Sequence, residues 1–373
     1  MTARILIIAG SDSGGGAGIQ ADIKTVTVLG GHAMTAVTAV TAQNTLGVDA
    51  VHIIPTEMVI AQIDAVVRDI GVDAIKIGMI GSAKTINAVA DRLTGFSVPI
   101  VFDPVMVATS GARLADDETI AAFQKLIQIA TLTTPNLPEL KALGGEGALR
   151  GPTLIKGGHD EGDLIIDRLV GPDGEIAQWS GSRIETKHNH GTGCTLASAI
   201  ACFMGQKMTV MDAVAQARQF VRLALLDAPG LGAGHGPMGH GSVRADAFGA
   251  APMLNQITLG STDYSASVAF YQMLGLRQIV DSPGNGYARF ETAGGTTLSI
   301  HKGEAASSAT TVYFENARLD IWVSELISAG LVFEKLPKDE SWGWREARLR
   351  DPHGNIICLY HAGENRRYPP WRI

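Results

Sequence analysis

The chain has 373 residues, of which 46% are hydrophobic and 18% charged, and its formal net charge is -7. This composition is typical of a folded protein of roughly two domains and excludes a disordered chain. The acidic balance predicts neither a nucleic-acid partner nor a membrane-binding segment, so small molecules are the expected partners. The three cysteines lack CxxC spacing, which indicates neither a disulfide framework nor a structural zinc site. We therefore expect a cytoplasmic protein.

Up to about residue 225, short β-branched runs alternate with longer helical patterns. RILIIAG precedes IQADIKTVTVLG, DAIKIGM precedes SAKTINAVADRL, and PIVFDPV precedes DETIAAFQKLIQIA. This alternation predicts an α/β fold, with a mainly parallel sheet covered by helices and ligands at the carboxyl ends of its strands. The N-terminal apolar run is too short for a signal sequence, and no later run has the roughly 18 apolar residues of a membrane helix.

A glycine-rich loop, GSDSGGGAGIQAD, runs from Gly10 to Asp22 between the first predicted strand and helix. Its backbone N–H groups could hold a polar ligand. A dinucleotide site is one interpretation, but no acidic residue follows at the spacing that would bind a ribose, and the Walker pattern is absent. The loop could equally be a tight turn whose glycines supply unusual dihedral angles.

Polar side chains follow several apolar strands. Asp103 ends the IVF run, where a carboxylate is costly unless it faces water, a metal or a partner. Asn136 and Glu139 begin a predicted helix; they could simply cap it, or Glu139 could join Asp103 in binding Mg²⁺. Lys156 ends another apolar run and could neutralise a transferring phosphate, although a lysine there could also extend to solvent.

The stretch HGTGC opens a strongly apolar predicted helix. Gly191, Thr192 and Gly193 lie at its N-terminus, so their N–H groups predict an anion site. A thiol at this position, Cys194, is expected to have a lowered pKa and could accept a hydroxyl proton as the thiolate. Alternatively it is a small residue that fits the pocket. A cysteine hydrolase using His190 is a further alternative, but it leaves the nearby carboxylates and lysine unexplained.

The motifs AGSDSGGGAGIQADIKT, TAQNT, KIGM, TPNLPE, KGGH and HGTGCTLASA occur in this order. Together they resemble the hydroxymethylpyrimidine/phosphomethylpyrimidine kinases of thiamine biosynthesis. The resemblance implies a ribokinase-like fold and ATP-dependent, Mg²⁺-requiring phosphorylation of 4-amino-5-hydroxymethyl-2-methylpyrimidine and then of its monophosphate. The fold also suggests a homodimer.

The resemblance further implies roles for individual residues. Gln43 would hydrogen-bond the aminopyrimidine edge. Around it the pocket would be shaped by Gly10, Asp22, Met79 and Val105. Mg²⁺ would be bound by Asp103 and Glu139, and the nucleotide phosphates by Asn136, Glu139 and Lys156. The implied catalytic residues are Lys156, Gly191, Thr192, Gly193 and Cys194.

Two alternatives to this function remain open. One is a pyridoxal-type kinase, because the same fold phosphorylates hydroxymethyl groups on related heterocycles. Gln43 would discriminate, since its amide suits the paired donor and acceptor of an aminopyrimidine. The other is a catalytically inactive small-molecule binding or resistance protein.

A change of pattern marks a second domain. The passages LLDAPGLGAGHGPMGHG and DAFGAAP indicate a domain edge, so we expect a kinase domain at 1–245, a linker at 246–252 and a second domain at 253–373. After the linker, a strand-helix-strands pattern occurs twice. This repeat predicts a smaller, duplicated α+β domain of two βαβββ units.

ITLGSTDYSASVAFYQMLG and DPHGNIICLY resemble the vicinal oxygen chelate superfamily, which includes glyoxalases and bleomycin-resistance proteins. The resemblance implies that the metal-ligand positions of that superfamily fall at Gln256, Ser299, Thr311 and Cys358. Three of these four are poor ligands for its divalent metals. We therefore expect a metal-free binding or dimerisation module. Three tryptophans could line its pocket: Trp342, Trp344 and Trp371.

Overall fold

The computed structural model describes residues 2–107, 115–148, 151–159, 162–243, 256–292, 294–303, 311–316 and 319–362. The chain divides into two compact units, Met1–Gly249 and Ala250–Ile373. The linker predicted at 246–252 lies outside the described residues. None of the helices in the described ranges combines the length and the apolar character that a membrane span requires.

The first unit is built on one nine-stranded sheet with the order β3-β2-β1-β4-β5-β6-β7-β8-β9. Its strands are β1 (Arg4–Asp12), β2 (His32–Gln43), β3 (Val48–Ile53), β4 (Ala74–Ile77), β5 (Ile100–Phe102), β6 (Leu132–Thr133), β7 (Thr153–Ile155), β8 (Leu164–Gly171) and β9 (Gly174–Ser182). Six adjacent strands, in the order β2-β1-β4-β5-β6-β7, are parallel, which confirms the predicted mainly parallel sheet.

Helices cover both faces of this sheet. They are α1 (Gly18–Val28), α2 (Thr56–Asp69), α3 (Ala83–Leu93), α4 (Asp117–Ile129), α5 (Leu137–Ala142), α6 (Thr192–Gly205) and α7 (Val210–Leu226). Strand β1 shows how the two layers are specified. Ile5 and Ile7 pack with α1, α6 and α7, whereas Leu6 and Ile8 pack with α2, α3 and α4. Successive side chains of a strand point to opposite faces, so an uninterrupted apolar run supplies both cores.

The edges of the sheet are antiparallel. Strand β3 pairs with β2, and β8 and β9 form a hairpin beside β7. The strand-helix alternation did not predict this hairpin, because its strands follow one another without a helix between them. Its signal in the sequence is the short GPDG turn, in which Gly174 has a φ of +120° that favours glycine.

The second unit consists of two copies of one βαβββ arrangement, as the sequence predicted. The first copy contains β10 (Gln256–Ser261), α8 (Tyr264–Met273), β11 (Arg277–Ser282), β12 (Tyr287–Glu291) and β13 (Thr297–Lys302). The second contains β14 (Thr311–Glu315), α9 (Leu319–Ser328), β15 (Phe333–Asp339), β16 (Arg345–Arg350) and β17 (Ile356–His361). The sheets have matching orders, β10-β13-β12-β11 and β14-β17-β16-β15, and the two copies share one apolar core.

Candidate functional site

The glycine-rich loop is held from inside by the buried carboxylate of Asp12. This carboxylate accepts hydrogen bonds from the backbone N–H groups of Gly14 (2.8 Å), Gly16 (3.0 Å) and Ala17 (2.8 Å). Burial opposes the ionised form, but the hydrogen bonds of His190 and these amides outweigh it and lower the pKa of Asp12. These three amides therefore serve the tight turn.

The residues predicted to shape the substrate pocket lie at the carboxyl ends of neighbouring strands. Gly10 is near the end of β1 and touches Met79 after β4, since a Cβ on Gly10 would lie 2.7 Å from the Met79 Cε. Val105 is half-buried after β5. Gln43 ends β2, is half-buried, and its backbone N–H donates to Ser13 Oγ over 2.7 Å. The parallel sheet thus gathers these side chains at one edge.

Asp22 differs from the other predicted pocket residues because it is fully buried in an ion pair. Its Oδ2 lies 2.7 Å from Lys76 Nζ, and its Oδ1 accepts a 2.7 Å hydrogen bond from Ser198 Oγ. Burial opposes the charge on Lys76, but attraction to Asp22, reinforced by Asp103, outweighs it and raises the pKa of Lys76. Lys76, in the KIGM motif, was missed as a site residue. A charge inside the apolar strand β4 was its signal.

Asp103, Lys156 and Glu139 form a second buried charged cluster. Lys156 Nζ lies 2.8 Å from Asp103 Oδ1 and 3.8 Å from Glu139 Oε2. Thr134 Oγ1 also donates to Asp103 Oδ1 over 2.9 Å. Burial opposes the charge of Lys156, but the two carboxylates outweigh it and raise its pKa. Burial, reinforced by Asp103, raises the pKa of Glu139 against the opposing effect of Lys156.

Asn136 and Glu139 form a reciprocal cap at the start of α5. Asn136 Oδ1 accepts from the Glu139 N–H, and Glu139 Oε2 accepts from the Asn136 N–H, both over 2.8 Å. The capping interpretation is therefore confirmed. The cap also holds the Glu139 carboxylate near Lys156. Glu139 therefore both caps α5 and belongs to the charged cluster.

The HGTGC turn lies directly beside this cluster. Gly191 is the N-cap of α6 with a φ of +86°, and a Cβ there would lie 2.0 Å from the Gly16 carbonyl oxygen. Only glycine fits such a position. A Cβ on Gly193 would lie 3.4 Å from Lys156 Nζ and 3.5 Å from Asp103 Oδ2. The structure therefore brings the N-terminus of α6 to the buried lysine and aspartate.

Cys194 follows this turn, and the prediction of a lowered thiol pKa was wrong. Burial raises the pKa of Cys194 to about 11; Lys76 and the Gly18 N–H oppose this effect, while Asp22 and Asp103 add to it. The residue is only half-buried by its exposed surface, but its sulfur lies near Lys76, Asp22 and Asp103, so loss of hydration outweighs the positive end of the helix and the group is a neutral thiol near pH 7.

A cleft of about 440 Å³ lies beside Lys156 and the start of α6. Residues from β9, the segment after it and α7 line the cleft together with Lys156, Thr192 and Gly193. An ion pair at its margin joins Arg218 Nε to Asp167 Oδ2 over 2.6 Å. The size of the cleft suits a small-molecule ligand, and the presence of Lys156 and the start of α6 in its wall favours a phosphorylated one.

No group of three or more His, Cys, Asp or Glu side chains among the described residues is arranged to bind a metal ion. Mg²⁺ does not need such a group, because it commonly uses one or two carboxylates together with water and substrate phosphates. Asp103 and Glu139, which flank Lys156, have the donor chemistry that this mode of binding requires.

In the second unit, the four positions predicted from metal-dependent relatives lie on β10, β13, β14 and β17. Ser299 and Cys358 are fully buried, and the Ser299 hydroxyl is 3.0 Å from that of Tyr287. Burial raises the pKa of Cys358 to about 12. Gln256 is exposed and Thr311 half-buried. None of these side chains is a carboxylate or an imidazole.

An aromatic cluster lies on the second sheet next to Cys358. Trp344 stacks on Tyr360 with ring centroids 4.7 Å apart, and Tyr313 meets both rings edge-on. Trp342 Nε1 donates to the buried carboxylate of Glu346 over 3.0 Å. Trp371 lies outside the described residues. Of the three tryptophans predicted to line a pocket, Trp342 thus contacts a buried carboxylate and Trp344 belongs to the aromatic cluster.

Comparisons with family models match both units. Residues 12–239 match the phosphomethylpyrimidine kinase model. Residues 253–359 match the model of the glyoxalase/bleomycin resistance protein/dioxygenase superfamily.

Similar curated proteins match the first unit. A hydroxymethylpyrimidine/phosphomethylpyrimidine kinase of Streptomyces coelicolor is 46% identical over 255 residues, which cover 64% of this chain and 94% of that protein. A bifunctional thiamine biosynthesis protein of Geobacter sulfurreducens is 43% identical over 263 residues, but the match covers only 52% of its length.

Solved structures of small-molecule kinases are also similar to this chain. The ADP complex of Bacillus subtilis pyridoxal kinase is 29% identical with a TM-score of 0.59, over 65% of this chain and 98% of that one. A phosphomethylpyrimidine kinase of Clostridium difficile is 34% identical with a TM-score of 0.52, over 60% of this chain and 99% of that one.

Proposed function

Because the chain belongs to the phosphomethylpyrimidine kinase family, we propose that this phosphotransferase transfers the γ-phosphoryl group of ATP to 4-amino-5-hydroxymethyl-2-methylpyrimidine and then to its monophosphate. The product would enter thiamine biosynthesis. One observation carries the assignment: the Asp103–Lys156 pair lies beside the N-terminal turn of α6, and Lys156, Thr192 and Gly193 line a cleft large enough for a ligand. We place the reaction in the cytoplasm.

Phosphoryl transfer requires charge stabilisation and positioning more than proton removal, because its transition state is loose. In the proposed mechanism the substrate hydroxyl oxygen forms a bond to the γ-phosphorus while the bond to ADP breaks, and the hydroxyl proton passes to an oxygen of the transferred phosphoryl group. Lys156 neutralises charge on the transferring group, and the N–H groups of Gly191, Thr192 and Gly193 stabilise its oxygens. Mg²⁺ held by Asp103 and Glu139 would supply further neutralisation of the nucleotide phosphates. Asn136 contributes by holding Glu139.

The pyrimidine would lie over Gly10, against Met79 and Val105. Gly10 leaves room for the flat ring, because a side chain there would collide with Met79. Gln43 would supply one donor and one acceptor to the aminopyrimidine edge. Asp22 would act indirectly, since both its oxygens are bonded inside the protein to Lys76 and Ser198.

The test is ATP consumption by the purified full chain with hydroxymethylpyrimidine, with its monophosphate and with pyridoxal, each with Mg²⁺. Turnover of both pyrimidines with little on pyridoxal is expected. Preference for pyridoxal would instead support a pyridoxal-type kinase, an alternative kept because pyridoxal kinases share this fold. No turnover on any of the three would favour an inactive binding protein. Removal of Mg²⁺ by EDTA should abolish turnover, and added Mg²⁺ should restore it.

For residues 253–373 we propose a metal-free binding or dimerisation module. The support is the chemistry of the predicted metal positions, since serine, threonine and a neutral buried cysteine are poor ligands for the metals of this superfamily. The stacked Trp344 and Tyr360 offer a surface for a flat ligand. After dialysis the full chain should retain no stoichiometric Ni²⁺, Zn²⁺ or Fe²⁺ by elemental analysis. One tightly held ion per chain would overturn this proposal.

We also propose that the chain forms a homodimer, and light scattering of the purified full chain tests this.

A further inference from the structure

His190 connects the glycine-rich loop to the residue proposed to recognise the substrate ring. Its ring is buried immediately before the Gly191–Gly193 turn. His190 Nε2 lies 3.0 Å from Asp12 Oδ2 and 3.1 Å from Gln43 Nε2. One nitrogen atom therefore faces a carboxylate and an amide nitrogen at hydrogen-bonding distance.

These two neighbours make opposite demands on that nitrogen. An ionised carboxylate only accepts hydrogen bonds, whereas an amide nitrogen only donates them. A single imidazole nitrogen carries either a proton or a lone pair, so it satisfies one neighbour and opposes the other. Asp12 already accepts from the N–H groups of Gly14, Gly16 and Ala17, and these bonds favour its ionised form. The proton therefore belongs on His190 Nε2, where it is donated to Asp12.

A protonated Nε2 in turn selects the orientation of the Gln43 amide. The oxygen and nitrogen ends of an amide fill nearly the same space, so the hydrogen-bond network decides between the two orientations. Turning the amide over places Oε1 against His190 and the NH₂ group at the position 3.2 Å from Thr41 Oγ1. Thr41 Oγ1 donates to the Ser11 carbonyl over 2.8 Å, so its lone pairs are available to accept from the amide. In this orientation each of these contacts joins a donor to an acceptor, and one lone pair and one N–H of the amide remain for a ligand.

We propose that His190 is a positioning residue for substrate selection, because it fixes which end of the Gln43 amide accepts and which donates toward the substrate ring. This inference rests on the proposed function, in which Gln43 binds the aminopyrimidine. With Oε1 held at His190 and the NH₂ group at Thr41, the second lone pair faces the exocyclic amino group and the second N–H faces a ring nitrogen. A ring without this ordered pair of groups loses one of the two bonds.

The first test compares His190→Asn with His190→Gln in the full chain. The asparagine amide is too short to reach the Nε2 position, whereas the glutamine amide can place a donor there. His190→Asn should raise the KM for hydroxymethylpyrimidine about tenfold, the loss of roughly one hydrogen bond. The KM for ATP should stay within twofold, and the preference for hydroxymethylpyrimidine over pyridoxal should fall by a similar factor. His190→Gln should recover most of both. The exposed His235, changed to Gln, is the control and should have no effect.

A merely structural role for His190 predicts different results. Both KM values would rise together, or His190→Gln would be as impaired as His190→Asn, and either result would overturn the proposal. The second test is ¹⁵N NMR of the histidine-labelled chain at pH 7.5, with His190→Gln used to assign the signal. A protonated Nε2 is expected, and an unprotonated Nε2 contradicts the inference.

The two tests separate this inference from the proposed function. Calorimetric titration with hydroxymethylpyrimidine measures binding even if the chain shows no turnover. Absence of turnover with a tenfold loss of affinity in His190→Asn would refute the kinase assignment alone. Equal affinity of the wild-type chain and His190→Asn would refute the role of His190, whatever the turnover.

Discussion

Two buried aspartates of the first unit and one of the second are held by different kinds of group. In the first unit Asp22 and Asp103 are each paired with a lysine, Lys76 and Lys156, at 2.7 and 2.8 Å. In the second unit Asp351 accepts from the Tyr271 hydroxyl over 2.8 Å, and from the side chain and backbone N–H of Asn355 over 2.7 and 2.8 Å. The first arrangement concentrates charge, and the second uses neutral donors.

The difference separates a site from a structural turn. Burying a lysine–aspartate pair costs desolvation free energy. Its presence beside the first turn of α6 therefore indicates that a positive charge is required there. Neutral donors stabilise a buried carboxylate at a lower desolvation cost, but they provide no positive charge to bind an anionic ligand. Asp351 closes the DPHGN turn between β16 and β17, and its network links that turn to α8. The predictions below test this contrast.

The largest effect is expected at Lys156. Lys156→Met removes the cation between Asp103 and Glu139, so charge on the transferring phosphoryl group is no longer neutralised. By analogy with other cationic groups that stabilise this transition state, kcat/KM should fall by about 10⁴-fold. Steady-state kinetics with hydroxymethylpyrimidine measure the change. Lys141→Met, an exposed lysine on α5, is the matched control. A loss smaller than tenfold would show that the buried pair is only structural.

Lys76 should affect stability more than any single neutral group in the second unit. Lys76→Met leaves the Asp22 carboxylate buried without its cation, which should lower the free energy of unfolding by about 3–5 kcal/mol. The measurement is chemical denaturation. The double variant Lys76→Met with Asp22→Asn should recover part of the loss, because no uncompensated charge remains. Additive losses in that double variant would argue against a direct ionic interaction.

Tyr271 tests the neutral network in the same way. Tyr271→Phe removes the hydroxyl but leaves Asn355 bonded to Asp351, so a loss of only about 1–3 kcal/mol is expected. Differential scanning calorimetry of the full chain measures it. Tyr264→Phe is the control on the same helix, since the Tyr264 hydroxyl bonds Asp281 at an exposed position and should contribute about 0.5 kcal/mol or less. A loss at Tyr271 as large as that at Lys76 would remove the contrast between the two units.

Sequence patterns predicted the layers of both units because burial on two faces produces continuous apolar strands, and a repeated strand-helix-strands order produces a duplication. They also identified Asp103, Lys156 and the turn at Gly191 as candidate site residues, since polar groups at strand ends and a glycine before an apolar helix are local signals, and the structure brings these three together. Contacts over long sequence separations left no local pattern. Asp12 and His190 are 178 residues apart, and Lys76 and Asp22 are 54 apart.

The thiol of Cys194 shows a further limit of local reasoning and gives the smallest expected effect. The helix N-terminus is visible in the sequence, but the burial that outweighs it depends on the surrounding fold. With a thiol pKa of about 11, roughly one molecule in 10⁴ is a thiolate at pH 7, so Cys194→Ala should lower kcat less than about tenfold. Below pH 11 the thiolate fraction rises about tenfold per pH unit, so a thiolate base would make kcat rise in the same way; because Cys194 is not expected to be the base, kcat should show no such rise between pH 7 and 9. Cys202→Ala, on the same helix, controls for loss of a buried thiol. A tenfold rise in kcat per pH unit, absent from Cys194→Ala, would restore Cys194 as the base that accepts the hydroxyl proton.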